Sequence, residues 1–240
     1  MANAFDAAVL AHSPLVYFDF DEESGNLSDA TGNGNTGTVT NGTLVYGESP
    51  LAASGSSVDF STGDVVSITE SSTFSIDDFT VVMLADWAGA ADRIVAGRAA
   101  QADMFTPNFG WAVRTDTPAD QIRLSVGYGS NVLHGDYKNV TPDQTFLFVA
   151  TVSSSGSNII IGSSIDGGAR TFRSVSSQNI DWSGIDTFQI GRSSSGFAGH
   201  FDGFAVIPSL LTNTQIAALW DAVTASGMHE RIIGGGVYGA

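Results

Sequence analysis

The sequence predicts an all-β protein, an antiparallel sandwich or barrel, and three observations carry that expectation. Short runs alternate apolar and polar residues with a period of 2, the signature of half-buried strands. The runs are divided by Gly, Asn, Asp and Ser, with 28 glycines among 240 residues, which is the chemistry of turns. Charged residues make up only 14% of the chain, against about 25% in an average soluble domain, so the solvated faces of a helix bundle are missing. Disorder is excluded by the even spread of apolar (42%) and aromatic (10%) residues. A chain of this length buries roughly 70% of its unfolded surface around one core. Neither an internal repeat nor a Pro-rich linker breaks the pattern between Leu15 and Ile207.

In chain order, Phe5 to His12 is Ala-rich with apolar spacing for two helical turns. Ser13-Pro14 ends it, because the residue before a proline is pushed out of the helical region. Val16, Phe18 and Phe20 then share one face of an opening strand. Further strands are expected at Thr38 to Tyr46, Ser57 to Phe60, Val65 to Ile68, Phe79 to Leu84, Arg93 to Arg98, Gly110 to Arg114 and Gln121 to Val126. After a loop-like stretch from Tyr128 to Lys138 they resume at Phe146 to Val152, Asn158 to Ile165, Thr171 to Val175, Thr187 to Arg192 and His200 to Ile207. One convincing helix follows: Thr212 or Thr214 caps it, Ile216, Leu219, Trp220 and Val223 form its apolar face, and Gly227 stops it. That stripe is expected to pack on the sandwich. Met228 to Ala240 holds three consecutive glycines and is not expected to order by itself. The organisation read from this is an arm at 1–13, one domain at 14–227 and a tail at 228–240, with both termini as docking elements.

Nine Lys and Arg against 25 Asp and Glu give a net charge of −16, and from Met1 to Asp92 there are 14 acids and no Lys or Arg. Such a chain repels phosphate backbones, so nucleic acid is excluded as a partner, and cations or basic surfaces are favoured. Without cysteine the fold uses neither disulfides nor thiolate ligands and is compatible with assembly in a reducing cytoplasm. No basic residue precedes Arg93 to form the start of a secretory signal. No apolar run approaches the ~18 residues of a membrane span, so no membrane partner is expected.

Several segments in order carry a resemblance. The opening strand Tyr17-Phe18-Asp19-Phe20-Asp21-Glu22-Glu23-Ser24-Gly25 leads into Asp29-Ala30-Thr31-Gly32-Asn33-Gly34-Asn35-Thr36-Gly37. Near the end stand Phe188-Gln189-Ile190-Gly191, then Phe197-Ala198-Gly199-His200-Phe201-Asp202-Gly203-Phe204-Ala205-Val206-Ile207, and Leu211-Thr212-Asn213-Thr214-Gln215-Ile216. Together they resemble the laminin G-like (concanavalin A-like) jelly roll superfamily along nearly the whole chain. The resemblance implies a two-sheet antiparallel jelly roll with a short N-terminal helix and one C-terminal helix. Gly203 departs from the family, which usually has Glu there. The fold alone leaves activity open, since sandwiches of this class host binding, hydrolysis and structural roles.

Asp29, Asn33 and Asn35 offer oxygen ligands on a Gly-rich loop, and with Asp202 the resemblance implies a Ca²⁺ site; hard cations want several such oxygens. The same Asp-x-Thr-Gly and Asn-Gly sequences also make turns that need no metal. Two Gly-x-Gly-x-x-Gly matches, at Gly32 and Gly234, lack the strand-to-helix context of a dinucleotide site. Asp19, Asp21 and Glu23 alternate on one strand face, where solvent is expected to reach them, instead of flanking a glycosidic bond. His200 and Asp202 share a face as a surface pair with no nucleophile beside them. No catalytic residue is assigned. Sugar recognition would draw on Tyr128, His134, Tyr137 and Lys138, with Trp111 and Arg114 upstream, since loop-borne aromatics and planar polar groups suit it.

The segment from Leu10 to Phe18 resembles the start of tailed-phage proteins. With the Met-Ala start, the absence of Cys and the acidic surface, it leads to the expectation of a bacteriophage virion protein. That protein is a capsid decoration or tail-associated adhesion module, assembled in the host cytoplasm as a homo-oligomer with other virion proteins and meeting a cell-surface glycan. The alternatives are an extracellular carbohydrate-binding module or lectin, and a glycoside hydrolase of the same fold.

Overall fold

Along a strand every second side chain turns to the same face, and the Val, Ile, Phe and Ala runs of this chain are numerous enough to line two sheets. The computed structural model describes residues 3–52, 55–69, 72–88, 94–99, 109–116, 120–154, 158–182, 185, 187–192 and 196–225. Its elements begin with α1 (Ala4–Leu10), β1 (Val16–Phe18), β2 (Gly37–Asn41), β3 (Val45–Glu48), β4 (Ser57–Phe60), β5 (Val65–Ile68) and a 3₁₀ turn at Ser72–Phe74. They continue with β6 (Asp78–Ala85), β7 (Ile94–Ala99), β8 (Phe109–Asp116), β9 (Gln121–Tyr128), β10 (Asn131–His134), β11 (Lys138–Asn139) and β12 (Phe146–Ser153). The last are β13 (Asn158–Ile165), β14 (Thr171–Ser176), β15 (Thr187–Gly191), β16 (Gly199–Ile207) and α2 (Asn213–Thr224).

The strands form two antiparallel eight-stranded sheets packed as a jelly-roll sandwich. The first runs β14-β13-β12-β6-β16-β4-β3, with β1 also paired to β16; the second runs β10-β9-β8-β7-β15-β5-β2, with β11 also paired to β9. Two local expectations change. The run from Thr38 to Tyr46 is not one strand: it breaks at Gly42, where φ is +80°, and delivers β2 to one sheet and β3 to the other. The supposed loop from Tyr128 to Lys138 is largely the hairpin β9–β10 followed by β11.

Between the sheets lies one apolar core in which aromatic rings meet edge to face or offset, the arrangements that ring quadrupoles favour. Phe201 is its hub at one end, 5.5 Å from Phe20, 5.0 Å from Phe60 and 4.7 Å from Phe197, centroid to centroid. Phe20 reaches this core from outside β1. The strand stops at Phe18, and Phe20 sits at φ +55°, a left-handed conformation that is costly for a bulky residue and is held here by complete burial of its ring.

A second apolar layer covers the outer face of the first sheet. Tyr17, Val82, Leu84, Leu147, Val149, Ala205 and Ile207 meet Phe5 and Val9 of α1 and Ile216, Leu219 and Val223 of α2. Both helices open with a capping box that satisfies their first N–H groups, Asn3 with Asp6 and Thr212 with Gln215. The arm at the N-terminus is thus part of the packed fold over Ala4–Leu10, whereas the tail at 228–240 lies outside the described residues. Gly203 finds its reason here, because a Cβ on it would stand 2.6 Å from Cε1 of Phe5. A larger side chain at this position would collide with the Phe5 ring of α1.

Polar groups are trapped under this layer. Asp6 is buried and accepts the Tyr17 hydroxyl at 2.6 Å. Asp202, 1% exposed, sits at the β-bulge between Phe201 and Gly203. Its Oδ2 accepts the N–H groups of Leu51 and Ala52, while its Oδ1 is buried without a hydrogen bond. Desolvation pushes its pKa up to about 7, against the two N–H bonds and helped by Asp6 and Asp21. Desolvation, then the charges of Glu22 and Asp21, push Asp19 up to about 6.

Two predictions follow from α1 and its clasp. Phe5→Ala is expected to lower unfolding free energy by about 3–5 kcal/mol, measured by chemical denaturation; a loss under about 1 kcal/mol would show that α1 contributes little. Stability is also expected to depend on pH between about 4 and 7. A folded pKa above the ordinary carboxylate value means stability is complete at pH below about 4 and is lost as pH rises through 6 and 7. For Asp202 the loss is on the order of 4 kcal/mol. Denaturation midpoints should fall from pH 4 to pH 7 in the native chain and fall less steeply in Asp202→Asn, where Asp19 still titrates.

Candidate functional site

The loop after β1 shows what its polar residues do. Asp29 Oδ1 accepts from Thr31 Oγ1 at 2.6 Å, the Thr31 N–H at 3.1 Å and the Tyr17 N–H at 3.2 Å. Its Oδ2 accepts from the Asn35 N–H and Nδ2, both at 3.0 Å. Asn35 and Asn33 also donate from Nδ2 to the Leu15 carbonyl, at 2.8 and 3.0 Å. Ala30 N–H donates to Tyr17 O at 2.8 Å. The loop therefore pairs the outer edge of β1 much as a neighbouring strand would, leaving no open ladder for another chain. Burial raises the Asp29 pKa, but the bonds from Thr31, Asn35 and Tyr17 outweigh it and hold the carboxyl below its ordinary value.

These residues do not fit the calcium set implied by the resemblance. Both Asp29 oxygens already accept hydrogen bonds, and Asp202 is directed to Leu51 and Ala52 under the helices. Among the described residues no three His, Asp or Glu side chains gather so as to hold a metal ion. Beside the loop, Leu15, Asn33, Asn35, Thr73 and Phe74 line a shallow cleft of about 370 Å³.

The carboxylates after β1 do not share a strand face, because the strand ends at Phe18. Asp19 is half-buried, while Asp21 and Glu23 are exposed, and Asp21 accepts the Ser56 N–H at 2.6 Å. His200 and Asp202 do not pair either. The bulge separates them, and His200 Nδ1 lies 2.9 Å from Asp86 Oδ1.

Side chains suited to recognition gather on the outer face of the second sheet. Ile122, Leu124 and Val126 of β9 point into the core, so Arg123 and Ser125 turn outward. Cross-strand register places Arg114 of β8 beside Arg123 and places His134 of β10 beside Ser125. His134 Nδ1 is 3.1 Å from Arg114 Nη2 and 2.8 Å from Ser125 Oγ. The same Arg114 Nη2 also lies 3.5 Å from His134 Nε2. The guanidinium of Arg123 lies 4.4 Å from the ring centroid of Tyr137, which is 43% exposed. This is a cation–π pair that holds both planes.

Of the six residues expected to contact a sugar, Arg114, His134 and Tyr137 belong to this cluster. Trp111 does not: it is 1% exposed and packs 5.6 Å from Phe188 in the core. Tyr128 packs against the same core from its rim. Lys138 pairs in register with inward-facing Ile122, and desolvation lowers its pKa against the opposing pull of Asp136. Sequence reasoning missed Arg123 and Ser125, although their alternation with Ile122, Leu124 and Val126 marks them as the outward residues of a core strand.

The two antiparallel sheets define a jelly-roll sandwich. No protein-family model matches the chain, and no curated protein matches it in sequence. Among solved structures it is similar to the receptor-binding domain of botulinum neurotoxin type G, with a TM-score of 0.64, 11% identity, and coverage of 87% of this chain and 51% of that one. A binding domain of botulinum neurotoxin DC in complex with SialylT gives 0.66, 11%, 88% and 52%. Domain 4 of AbnA, an extracellular GH43 arabinanase from Geobacillus stearothermophilus in complex with arabinotriose, gives 0.64, 18%, 86% and 97%. The chain spans about half the length of these toxin domains. At such identities the likeness establishes the fold.

The Asp29 network generates a prediction. Asp29→Ala is expected to cost about 2 kcal/mol by removing a charged acceptor of several hydrogen bonds. The melting temperature of the native chain should be the same in millimolar Ca²⁺ and in chelator. A rise with Ca²⁺ that Asp29→Ala abolishes would restore the metal reading.

Proposed function

We propose that this domain is a non-catalytic glycan-binding module, and that the outer face of the second sheet is its binding surface. The observation that carries this is the joined cluster of Arg114, Arg123, Ser125, His134 and Tyr137, in which planar hydrogen-bonding groups stand beside a half-exposed aromatic ring. An aromatic face takes the apolar side of a pyranose while fixed polar groups select its hydroxyls. The structural neighbours favour this reading over display on a virion: none of the three is a virion protein, and two carry the ligands SialylT and arabinotriose.

Hydrolysis has weaker support. Two carboxylates would have to flank one glycosidic bond at about 5–9 Å. Here Asp19 is desolvated, but Asp21 holds the Ser56 backbone and Glu23 stands in solvent. The expected outcome on a glycan array is retention of at least one saccharide class with no release of reducing ends, and loss of that retention in Tyr137→Ala. Turnover of a polysaccharide that disappears in Asp21→Asn would overturn the non-catalytic reading.

A further inference from the structure

We infer that α1 is a pH-sensitive clasp, closed over Asp202 while that carboxyl holds its proton and lifted from the first sheet once the proton is lost. The first ground is the cluster of groups beneath the helix. Asp6 of α1 accepts the Tyr17 hydroxyl at 2.6 Å, and the charges of Asp6, Asp19 and Asp202 all act on that hydroxyl. Asp202 itself feels the charges of Asp6 and Asp21, and its Oδ1 is buried without a hydrogen bond. A charge in such a place is costly unless a cation or donors meet it. Residues 1–92, which supply α1, β1, Asp19, Asp21, Leu51, Ala52, β4 and β6, hold no Lys or Arg. On β16, His200 is bonded to Asp86, and its register partner Asp59 on β4 faces that pair. From α2 come Ile216, Leu219 and Val223, while its Asp221 is exposed.

The second ground is which neighbour can leave. The N–H groups of Leu51 and Ala52 both donate to Asp202 Oδ2, so moving that connection would strip the anion of the donors it needs most. Moving α1 keeps them. It takes away the Asp6 charge and the Phe5 ring that packs on Gly203, and it lets water reach Oδ1. The third ground is a hinge. Residues 11–14 join α1 to β1, and Ser13 there has φ +51°, a left-handed backbone uncommon outside Gly, Asn and Asp. Pro14 follows and cannot extend the helical ladder. From Leu15 the chain is fixed, its N–H bonded to the Val206 carbonyl at 2.7 Å. Rotation within 11–14 therefore moves α1 and leaves β1 paired. A carboxyl that ionises more easily in the open state makes opening easier as pH rises. With a closed-state pKa of about 7, the opening constant climbs from about pH 4 and levels off above about pH 7.

Because the chain has no cysteine, one introduced thiol reports on one element. Val9→Cys places it on the buried face of α1 and Val126→Cys in the core between the sheets. Rates of labelling by a thiol reagent, each divided by the rate of the unfolded variant at the same pH, give the two opening constants. The constant for Val9→Cys is expected to rise roughly tenfold or more between about pH 5 and about pH 7 and to change little above about pH 8. Adding Asp202→Asn should remove most of that rise. At about pH 7 the Val9→Cys constant should also exceed that of Val126→Cys by roughly tenfold or more, as local opening requires. A constant that ignores pH, or a rise that persists with Asp202→Asn, would overturn the switch. Equal constants at the two positions would show that the whole domain opens and would overturn α1 as the moving part. Should a cysteine variant fail to fold, amide hydrogen exchange of the native chain decides. Amides of α1 should lose protection on the same pH course while those of Leu51 and Ala52 keep theirs, and earlier loss at Leu51 and Ala52 would overturn the clasp.

Discussion

A strand without a solvent face must find a partner for every group it carries, and β16 is such a strand from Phe201 to Ile207. Inward it gives Phe201, Phe204 and Val206 to the inter-sheet core; outward it gives Gly203, Ala205 and Ile207 to the helices. One edge pairs with β6, and the other is divided between β4 and β1. Where those two partners meet, the ladder is interrupted by the bulge at Asp202. The buried carboxylate there takes the N–H groups of Leu51 and Ala52 and so ties the β3–β4 connection to the strand. Asp21 does the same for Ser56 at the far end of that connection. The first sheet, the two helices and residues 49–52 and 55–57 are therefore fitted to one strand.

The demand for paired backbone groups also explains the sequence feature that looked most like a ligand site. β1 is only three residues long and has β16 on one side alone. Its other side would leave Leu15 and Tyr17 with open groups. Asp29, Asn33 and Asn35 meet them with side chains and with the Ala30 N–H. Metal-binding loops and edge-covering loops use the same residue types, since both need short polar side chains on a backbone that can turn sharply.

Fold class was legible because alternation and turn chemistry are local. Most strand positions, the capped α2 and the core residues of β9, β12 and β16 could be read directly from periodicity. What could not be read depended on partners distant in the chain. Gly203 is a glycine because of Phe5, and Trp111 is a core residue because Phe188 and Phe79 stand opposite. The alternation from Val16 to Phe20 suggested a five-residue strand, but the Phe20 ring reaches its place through a left-handed backbone. The polar cluster on the second sheet was half legible: Arg114, His134 and Tyr137 stood out by type, whereas Arg123 required knowing which face of β9 was outward.

The two outer faces of the sandwich differ for a reason written in the strands themselves. Outward positions of the first sheet, such as Val82, Leu84, Leu147 and Val149, are as apolar as the inward ones, so β6 and β12 read as continuous apolar runs and require a cover. The helices supply it. Outward positions of the second sheet follow one row of register partners, Thr38, Ser67, Gln189, Gly97, Ala112, Ser125 and His134, and none is a large apolar side chain. Such a face has little to gain from a helix. Polar groups can therefore change there without disturbing the core, and domains with less than a fifth of their residues in common can keep the scaffold.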